Sequence, residues 1–190
     1  YNTVSEAVTV TVNPLPTLYN VAAGGEYCEG GTGVEVKMLN SQTNISYTLH
    51  KDGTPTTNIV PGTGGTISFG QILEAGDYTI LAINPTTTCQ QWMTGTATVV
   101  VNPLPQQYLV TGGGQYPSGG VGVPVGISGS QNGVNYTLNL NGSPVTMPPG
   151  LPGTGDPLSF GNQMSAGLYT VQGEFAATGC SILMSGNAPV

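Results

Sequence analysis

Apolar and polar residues alternate in several short runs along this chain. The clearest run is VNYTLNL at 134–140, in which every second residue is Val, Tyr or Leu and the residues between are Asn or Thr. Similar alternation marks 7–12, 121–127 and 167–175. A period of two places one set of side chains on each face of a β-strand, and no run has the sustained 3.6-residue period of a helix. The pattern therefore predicts an all-β chain of half-buried strands.

Turn sequences separate these runs. They are KDG at 51–53, GTGG at 62–65, EAGD at 74–77 and NG at 141–142. Gly, Asp and Asn adopt the backbone conformations that tight turns need, so each sequence marks the end of a strand. The spacing predicts about seven short strands in each stretch of about 90 residues, which is typical of an immunoglobulin-like β-sandwich.

The chain also repeats itself. VNPLP occurs at 12–16 and again at 101–105, a shift of 89 residues. The shift becomes 91 beyond two extra residues near 147–151, and there the string SFG at 68–70 matches SFG at 159–161. Matches of this length and order predict two copies of one module.

The repeat sets the expected domain boundaries. These are the final strand of a preceding repeat at 1–13, a first immunoglobulin-like repeat at 14–102, and a second at 103–190 whose last strand is cut at the C terminus. An apolar strand at 1–12 has two explanations, a longer array or donation of the strand to a neighbouring filament subunit. We favour the array, because the second repeat ends in a last strand of its own.

Charged residues are rare. They make up 6 % of the chain, with a net charge of −7, no Arg, and Lys37 and Lys51 as the two cations. Two cations are too few to neutralise a phosphate backbone, and we therefore expect no nucleic-acid partner. They are also too few to bind an anionic bilayer surface. No apolar stretch has the roughly 18 residues that a membrane span needs, so we expect no membrane insertion.

Two tyrosines follow tight turns at matching places. Tyr78 comes after EAGD, and Tyr169 comes after SAGL in the second copy. This placement is that of the tyrosine corner of Greek-key sandwiches, in which the hydroxyl bonds to upstream backbone. The alternative is an ordinary core tyrosine at the start of a strand.

These motifs together resemble a known repeat. The VNPLP linker, YCEGG at 27–31, LNG at 140–142, the GTG and SFG strings, AG-x-YT and a late Cys are similar to the immunoglobulin-like repeats of very large surface proteins of Bacteroidota. Those proteins include gliding-motility adhesins with C-terminal sorting domains. The resemblance covers nearly the whole chain and implies an extracellular, cell-surface location without catalytic residues. The second copy departs from the pattern at Pro117, where the family usually has Cys.

Three cysteines invite a disulfide prediction. In a secreted sandwich we expect Cys28 and Cys89 to form a disulfide, with two buried thiols as the alternative. Cys180 matches Cys89, but Pro117 stands where a partner would be. We therefore predict an unpaired, buried Cys180 thiol, with a bond to another chain as the alternative.

No residues combine into a catalytic, cofactor or metal site in the sequence. His50 is the single histidine, and its position on the outward face of its strand predicts a solvated side chain. The carboxylates of one copy are not repeated in the other, which argues against a repeated calcium site. Trp92 is a candidate ligand contact that could stack on a sugar, although packing on a neighbouring module or linker is the commoner role of such a residue.

The linkers favour a structural role. Proline fixes φ and biases the chain toward an extended form, so each linker should be rigid. The residues concerned are Asn13, Pro14, Pro16, Asn102, Pro103 and Pro105. We expect a stiff stalk of an adhesin or filament, with neighbouring repeats, other filament subunits or surface glycans as partners. The alternative is a carbohydrate-binding accessory module of a secreted polysaccharide-degrading enzyme.

Overall fold

The computed structural model describes residues 8–145 and 150–190. The chain divides into two compact units, unit 1 (Tyr1–Val101) and unit 2 (Asn102–Val190). All regular structure in the described residues is β-structure. The predicted all-β, immunoglobulin-like sandwich fold is confirmed.

Nine strands form unit 1 in the described part of the chain. They are β1 (Val21–Ala23), β2 (Gly25–Cys28), β3 (Val34–Met38), β4 (Ser46–Lys51), β5 (Thr54–Pro61), β6 (Ile67–Ile72), β7 (Gly76–Ile83), β8 (Gln90–Trp92) and β9 (Ala97–Asn102). One sheet has the order β1-β3-β6, and the other has the order β2-β9-β7-β4-β5 with β8 also paired to β7.

The excess over seven strands comes from two interruptions. Ala23, Gly24 and Gly25 all have positive φ, and at this bend the first edge strand leaves one sheet as β1 and joins the other as β2. The last strand is likewise divided by Gly95 (φ 84°), so β8 and β9 pair with successive parts of β7. Alternation of apolar residues does not predict such bends, because the neighbouring strands β1, β2 and β8 have only three or four residues each, too few to show a period.

Unit 2 repeats the arrangement, except that its described residues include no counterpart of β2 and that two short strands pair where unit 1 has β5. Its strands are β10 (Val110–Gly112), β11 (Val123–Ile127), β12 (Val134–Leu140), β13 (Ser143–Pro144), β14 (Leu151–Pro152), β15 (Leu158–Gln163), β16 (Leu168–Phe175), β17 (Ser181–Leu183) and β18 (Ala188–Pro189). The order β10-β11-β15 forms one sheet, while β13, β12, β16 and β17 form the other with β14 on β12 and β18 on β16. The insertion near 147–151 falls mostly on residues 146–149, which lie outside the described residues.

The two sheets of each unit enclose one core. In unit 1 the residues of β3 and β6 pack against those of β4, β7 and β9. In unit 2 the residues of β11 and β15 pack in the same way against those of β12, β16 and β18. Fully burying a large apolar side chain stabilises the fold by about 1.5–3 kcal/mol. The largest fully buried side chains are Tyr47, Tyr136, Tyr169, Met38, Leu49, Ile80, Ile127, Leu138, Val36, Val99, Val125 and Val134.

The segment before the first linker has no such cover. Residues 8–13 carry no strand pairing, and Val8, Val10 and Val12 are 87, 82 and 88 % exposed. The rest of the predicted strand, residues 1–7, lies outside the described residues.

The hairpin turns have the predicted chemistry. Asp52 and Gly53 join β4 to β5 with φ values of 49° and 80°, and Asn141 and Gly142 join β12 to β13 with 49° and 85°. Two consecutive positive φ values define the type I′ turn, whose twist matches that of the strands it joins.

One turn is strained in unit 1 and relaxed in unit 2. Thr88 N–H donates to the Asn84 carbonyl with Thr88 at φ 61°, and Gly179 N–H donates to the Phe175 carbonyl with Gly179 at φ 72°. A β-branched residue is strongly disfavoured in this left-handed region, whereas Gly adopts it freely.

We therefore predict that Thr88→Gly stabilises unit 1 by about 1 kcal/mol, because relief of backbone strain exceeds the entropy that glycine adds to the unfolded chain. Urea denaturation followed by an amide signal of unit 1 measures the change.

The reverse change, Gly179→Thr, is the matched control. No heavy atom lies within 4 Å of a Cβ built on Gly179, so any loss of stability in unit 2 reports backbone strain alone. A stabilising Gly179→Thr, or a destabilising Thr88→Gly, would contradict the strain argument.

Candidate functional site

Each unit buries the second proline of the linker that enters it. Pro16 and Pro105 are buried, whereas Pro14 and Pro103 are exposed. The second proline therefore belongs to the packing of the unit that follows the linker, and the first lies on the surface.

A glutamine side chain fixes the residue after each buried proline. The Thr17 N–H donates to Gln42 Oε1 at 2.9 Å, and the Gln106 N–H donates to Gln131 Oε1 at 3.0 Å. We call each glutamine with its linker residues a linker clamp: Pro16, Thr17 and Gln42 in unit 1, and Pro105, Gln106 and Gln131 in unit 2. The internal repeat aligns the two glutamines but predicts no role for them, because the sequence does not show which side chains bond to the linker backbone.

A buried tyrosine holds each glutamine in place. The Gln42 N–H donates to the Tyr47 hydroxyl at 2.8 Å, and the Gln131 N–H donates to the Tyr136 hydroxyl at 2.9 Å. Both tyrosines are fully buried. Burial, the largest cause, raises the pKa of each phenol above its usual value, although the bond from the glutamine backbone acts in the opposite direction.

Tyr78 and Tyr169 form the bond that defines a tyrosine corner. The Tyr78 hydroxyl donates to the Glu74 carbonyl at 2.9 Å, and the Tyr169 hydroxyl donates to the Ser165 carbonyl at 3.0 Å. Burial also raises the pKa of Tyr78. In unit 1 the Glu74 carboxylate pairs with Lys51, whose ammonium lies 2.7 Å away and lowers the pKa of that carboxyl.

The two cysteine predictions are wrong. Cys28 and Cys180 are the disulfide-bonded cysteines, and Cys89 carries a free, half-buried thiol. A Cys28–Cys89 bond is therefore absent, and Cys180 is not an unpaired thiol.

The sheet topology explains why Cys28 and Cys89 do not meet. In β2, next to Cys28, the Tyr27 hydroxyl donates to the Leu73 carbonyl, shortly before β7 begins. Cys89 instead lies next to β8, which pairs with the far end of β7 at Leu81–Ile83. At about 3.3 Å per residue, β7 holds the two cysteines at opposite ends of the unit. A disulfide requires Cα atoms within about 7 Å.

Trp92 lies on the outer face of its sheet and is 47 % exposed. It pairs with Leu81 across β7 and β8, and its ring meets the His50 ring edge-on with centroids 4.7 Å apart. The prediction of a solvated His50 is wrong, because its neighbours leave the side chain 7 % exposed. The alternation of side chains along the strand assigned His50 to the outer face correctly. Alternation does not show which neighbouring side chains cover that face.

The described residues form no metal-binding cluster and no membrane-spanning helix. Within residues 8–145 and 150–190, no three His, Cys, Asp or Glu side chains lie close enough together to hold a metal ion. The described part of the chain also has no helix with the length and apolar character needed to cross a membrane.

The chain is similar in structure to several known proteins. No protein-family model and no curated protein sequence matches the chain. The human OSCAR ligand-binding domain aligns over 93 % of this chain and 100 % of its own, with 13 % identity and a TM-score of 0.35. The fibronectin(III)-like modules of CbhA from Clostridium thermocellum align over 91 % of this chain and 94 % of their own, with 10 % identity and a TM-score of 0.41.

A chain from the complex of a mouse coronavirus receptor-binding domain with its murine receptor is also similar. It aligns over 86 % of this chain and 94 % of its own, with 13 % identity and a TM-score of 0.45. Scores this low carry no functional argument, so the fold assignment rests on the sheets described above.

The buried phenols predict instability in alkali. Because the pKa values of Tyr47, Tyr78 and Tyr136 are raised in the folded state, their contribution is fully present below pH 10, the unfolded value, and is lost as pH rises through the folded values. We expect urea midpoints that are level from pH 7 to about 9 and fall above about pH 10, more steeply for unit 1, which holds two of these tyrosines.

Tyr47→Phe separates titration from packing. The variant should lose about 1 kcal/mol at pH 7 with its hydrogen bond, yet show a shallower alkaline decline in unit 1. A decline of unchanged slope would show that another group titrates.

Proposed function

We propose that this chain is part of an extracellular array of immunoglobulin-like repeats that serves as a stiff spacer in a surface adhesin or filament. The linker clamp is the observation that carries the proposal. In each unit a buried proline and a glutamine side chain hold the entering linker against the unit. The linker backbone is therefore fixed at the point where it joins the sandwich.

The surface chemistry supports the same function. Only 6 % of the residues are charged, so the exposed surface relies on neutral hydroxyl and amide groups and offers trypsin-like proteases two lysines and no arginine. A disulfide is typical of secreted proteins, which supports a cell-surface location. The resemblance to repeats of Bacteroidota adhesins supports an array without enzymatic activity, whose partners are neighbouring repeats, filament subunits or surface glycans.

We expect the two units to tumble together in solution. Amide ¹⁵N relaxation, recorded with a thiol reductant present, should give both units a rotational correlation time well above that of a free body of about 90 residues. Independent tumbling of the units would contradict a stiff spacer.

Gln131→Ala tests the clamp at the linker within the 190-residue chain. Loss of one hydrogen bond, about 1 kcal/mol, should speed exchange of the Gln106 amide roughly fivefold and shorten the shared correlation time. Gln42→Ala is the matched control, because it frees Thr17 and leaves the linker at 102–105 untouched. Equal effects of both variants on the correlation time would contradict this role of the clamp.

The second candidate function is a carbohydrate-binding accessory module. The observation in its favour is Trp92, an exposed ring held edge-on by His50 in a position where unit 2 has Leu183. Exposed aromatic rings stack on apolar sugar faces, but a single large exposed ring among the described residues makes a small platform.

Sedimentation with insoluble polysaccharides tests that candidate. On the spacer proposal we expect no binding that Trp92→Ala removes. Binding that is at least tenfold weaker in Trp92→Ala, and unchanged in the matched variant Leu183→Ala, would favour the accessory module instead.

A further inference from the structure

A cavity of about 260 Å³ opens along one side of unit 1, between its two sheets. Strands β5 and β6, each the last strand of its sheet, line it on two sides. Its apolar lining comes from the core residues Leu49 and Tyr78 and from the more exposed Ile72 and Leu73. A concave, mostly apolar surface with a few polar groups is the usual form of a small-molecule site.

Five polar side chains complete the lining. They are Lys51 of β4, Thr56 and Asn58 of β5, Gln71 of β6 and Glu74 of the turn before β7. The Lys51 ammonium donates to the Glu74 carboxylate at 2.7 Å. This hydrogen bond, the largest cause, raises the pKa of Lys51 and lowers the pKa of Glu74, so both side chains are charged at neutral pH. The cavity therefore has an ion pair in its lining.

Lys51 occupies a position that faces the core. Tyr47, Leu49 and Lys51 alternate along the inward face of β4, and the first two are fully buried. Unit 2 has Leu140 in the position of Lys51, and Leu140 packs against the core of that unit. A charged residue at such a position gives up apolar burial, and departures of this kind are expected at functional sites.

Two further positions of the lining differ between the units in the same direction. Glu74 aligns with Ser165, and Thr56 aligns with Val145. Unit 1 thus has a carboxylate and a hydroxyl where unit 2 has a smaller polar residue and an apolar one. Together with Lys51, these changes make the cavity of unit 1 a place where hydrogen-bonding groups converge.

The edge of β5 is not arranged to pair with an added peptide strand. Pro55 and Pro61 have no N–H to donate, and the Asn58 N–H already donates to the Thr56 hydroxyl at 3.2 Å. The Asn58 side-chain amide donates to the Phe69 carbonyl at 2.6 Å and so joins β5 to β6. A compact ligand therefore suits the cavity better than an extended peptide.

We propose that this cavity binds one neutral pyranose ring, such as the terminal sugar of a surface glycan. The apolar C–H face of the ring packs on Ile72 and Leu73. Its hydroxyls, each both a donor and an acceptor, bond to the Lys51 ammonium and the Glu74 carboxylate.

The charges near the cavity favour a neutral ligand. Lys51 and Glu74 cancel each other, and Asp52 adds a negative charge near Lys51. The chain as a whole has a net charge of −7. An anionic sugar is therefore repelled. The inference adds a site to the proposed spacer and does not depend on the array, because every residue of the site belongs to unit 1.

Titration of the 190-residue protein, followed by its amide ¹H–¹⁵N spectrum, tests the proposal. The neutral probes are the methyl pyranosides of glucose, galactose, mannose, fucose and rhamnose. Methyl glucuronide is the anionic probe, and cyclohexanol is the apolar probe. We expect at least one neutral pyranoside to shift the amides of the residues that line the cavity, with a Kd on the order of 1 mM, as is usual for a ligand of this size.

Two variants give unit 1 the residues of unit 2. Lys51→Leu removes the ammonium at a position where unit 2 packs a leucine, and Glu74→Ser removes the carboxylate of a mostly exposed side chain. Each should weaken binding roughly tenfold, through loss of a charged hydrogen-bonding group. Trp92→Ala is the control and should leave the Kd unchanged, which separates this cavity from the exposed ring.

The remaining outcomes overturn the inference. They are the absence of shifts at these amides with all five neutral pyranosides, and unchanged binding in both Lys51→Leu and Glu74→Ser. Tighter binding of methyl glucuronide or cyclohexanol than of every neutral pyranoside would also overturn it, since the cavity would then suit an anion or a purely apolar compound. The spacer proposal is tested separately, by the correlation times of the two units.

Discussion

The hydrogen bond between a buried tyrosine hydroxyl and a glutamine backbone N–H is the interaction on which the rest of each unit depends. Tyr47 and Tyr136 fill the centre of the core, and each has a polar group that must be paired there. Pairing with the N–H of Gln42 or Gln131 satisfies that group and positions the glutamine. The side chain of the same glutamine then binds linker backbone. The buried tyrosine, the loop that carries the glutamine and the start of the linker are therefore connected through one contact, made once in each repeat.

Much of the fold could be predicted from the sequence, because its determinants are local. Alternation fixes which side chains of β12 face inward, and Asn-Gly or Asp-Gly fixes the turn between paired strands. The bend at Ala23–Gly25 was not predictable in this way. It moves the chain from one sheet to the other between strands of three and four residues, which are too short to show a period, so only the contacts with β3 and β9 reveal it.

The candidate sites were harder to predict, since they depend on which end of a strand a residue reaches. Cys28 and Cys89 both adjoin the β7 sheet, yet they lie at its opposite ends, a distinction that spacing along the chain does not contain. His50 shows the same limit for burial. His50 was correctly assigned to the outer face of its strand. Its side chain is nevertheless buried, because β4 lies between β5 and β7 and Trp92 packs against the ring. A central strand can be covered on its outer face by the side chains of its neighbours.

Because charged residues are scarce, the fold of each unit depends little on ion pairs. Both lysines belong to unit 1, where they pair with Glu35 and Glu74. Exposed ion pairs of this kind contribute little and weaken with salt. Unit 2 reproduces the fold with no lysine or arginine at all, using Asn141 where unit 1 has Asp52 and Ser165 where it has Glu74. Both turns keep a bond from a backbone N–H to the side chain of the turn residue: Asp77 N–H donates to Asp52 Oδ1, and Leu168 N–H donates to Asn141 Oδ1. Because neutral hydrogen bonds and buried apolar surface suffice in unit 2, the fold does not require salt-sensitive interactions.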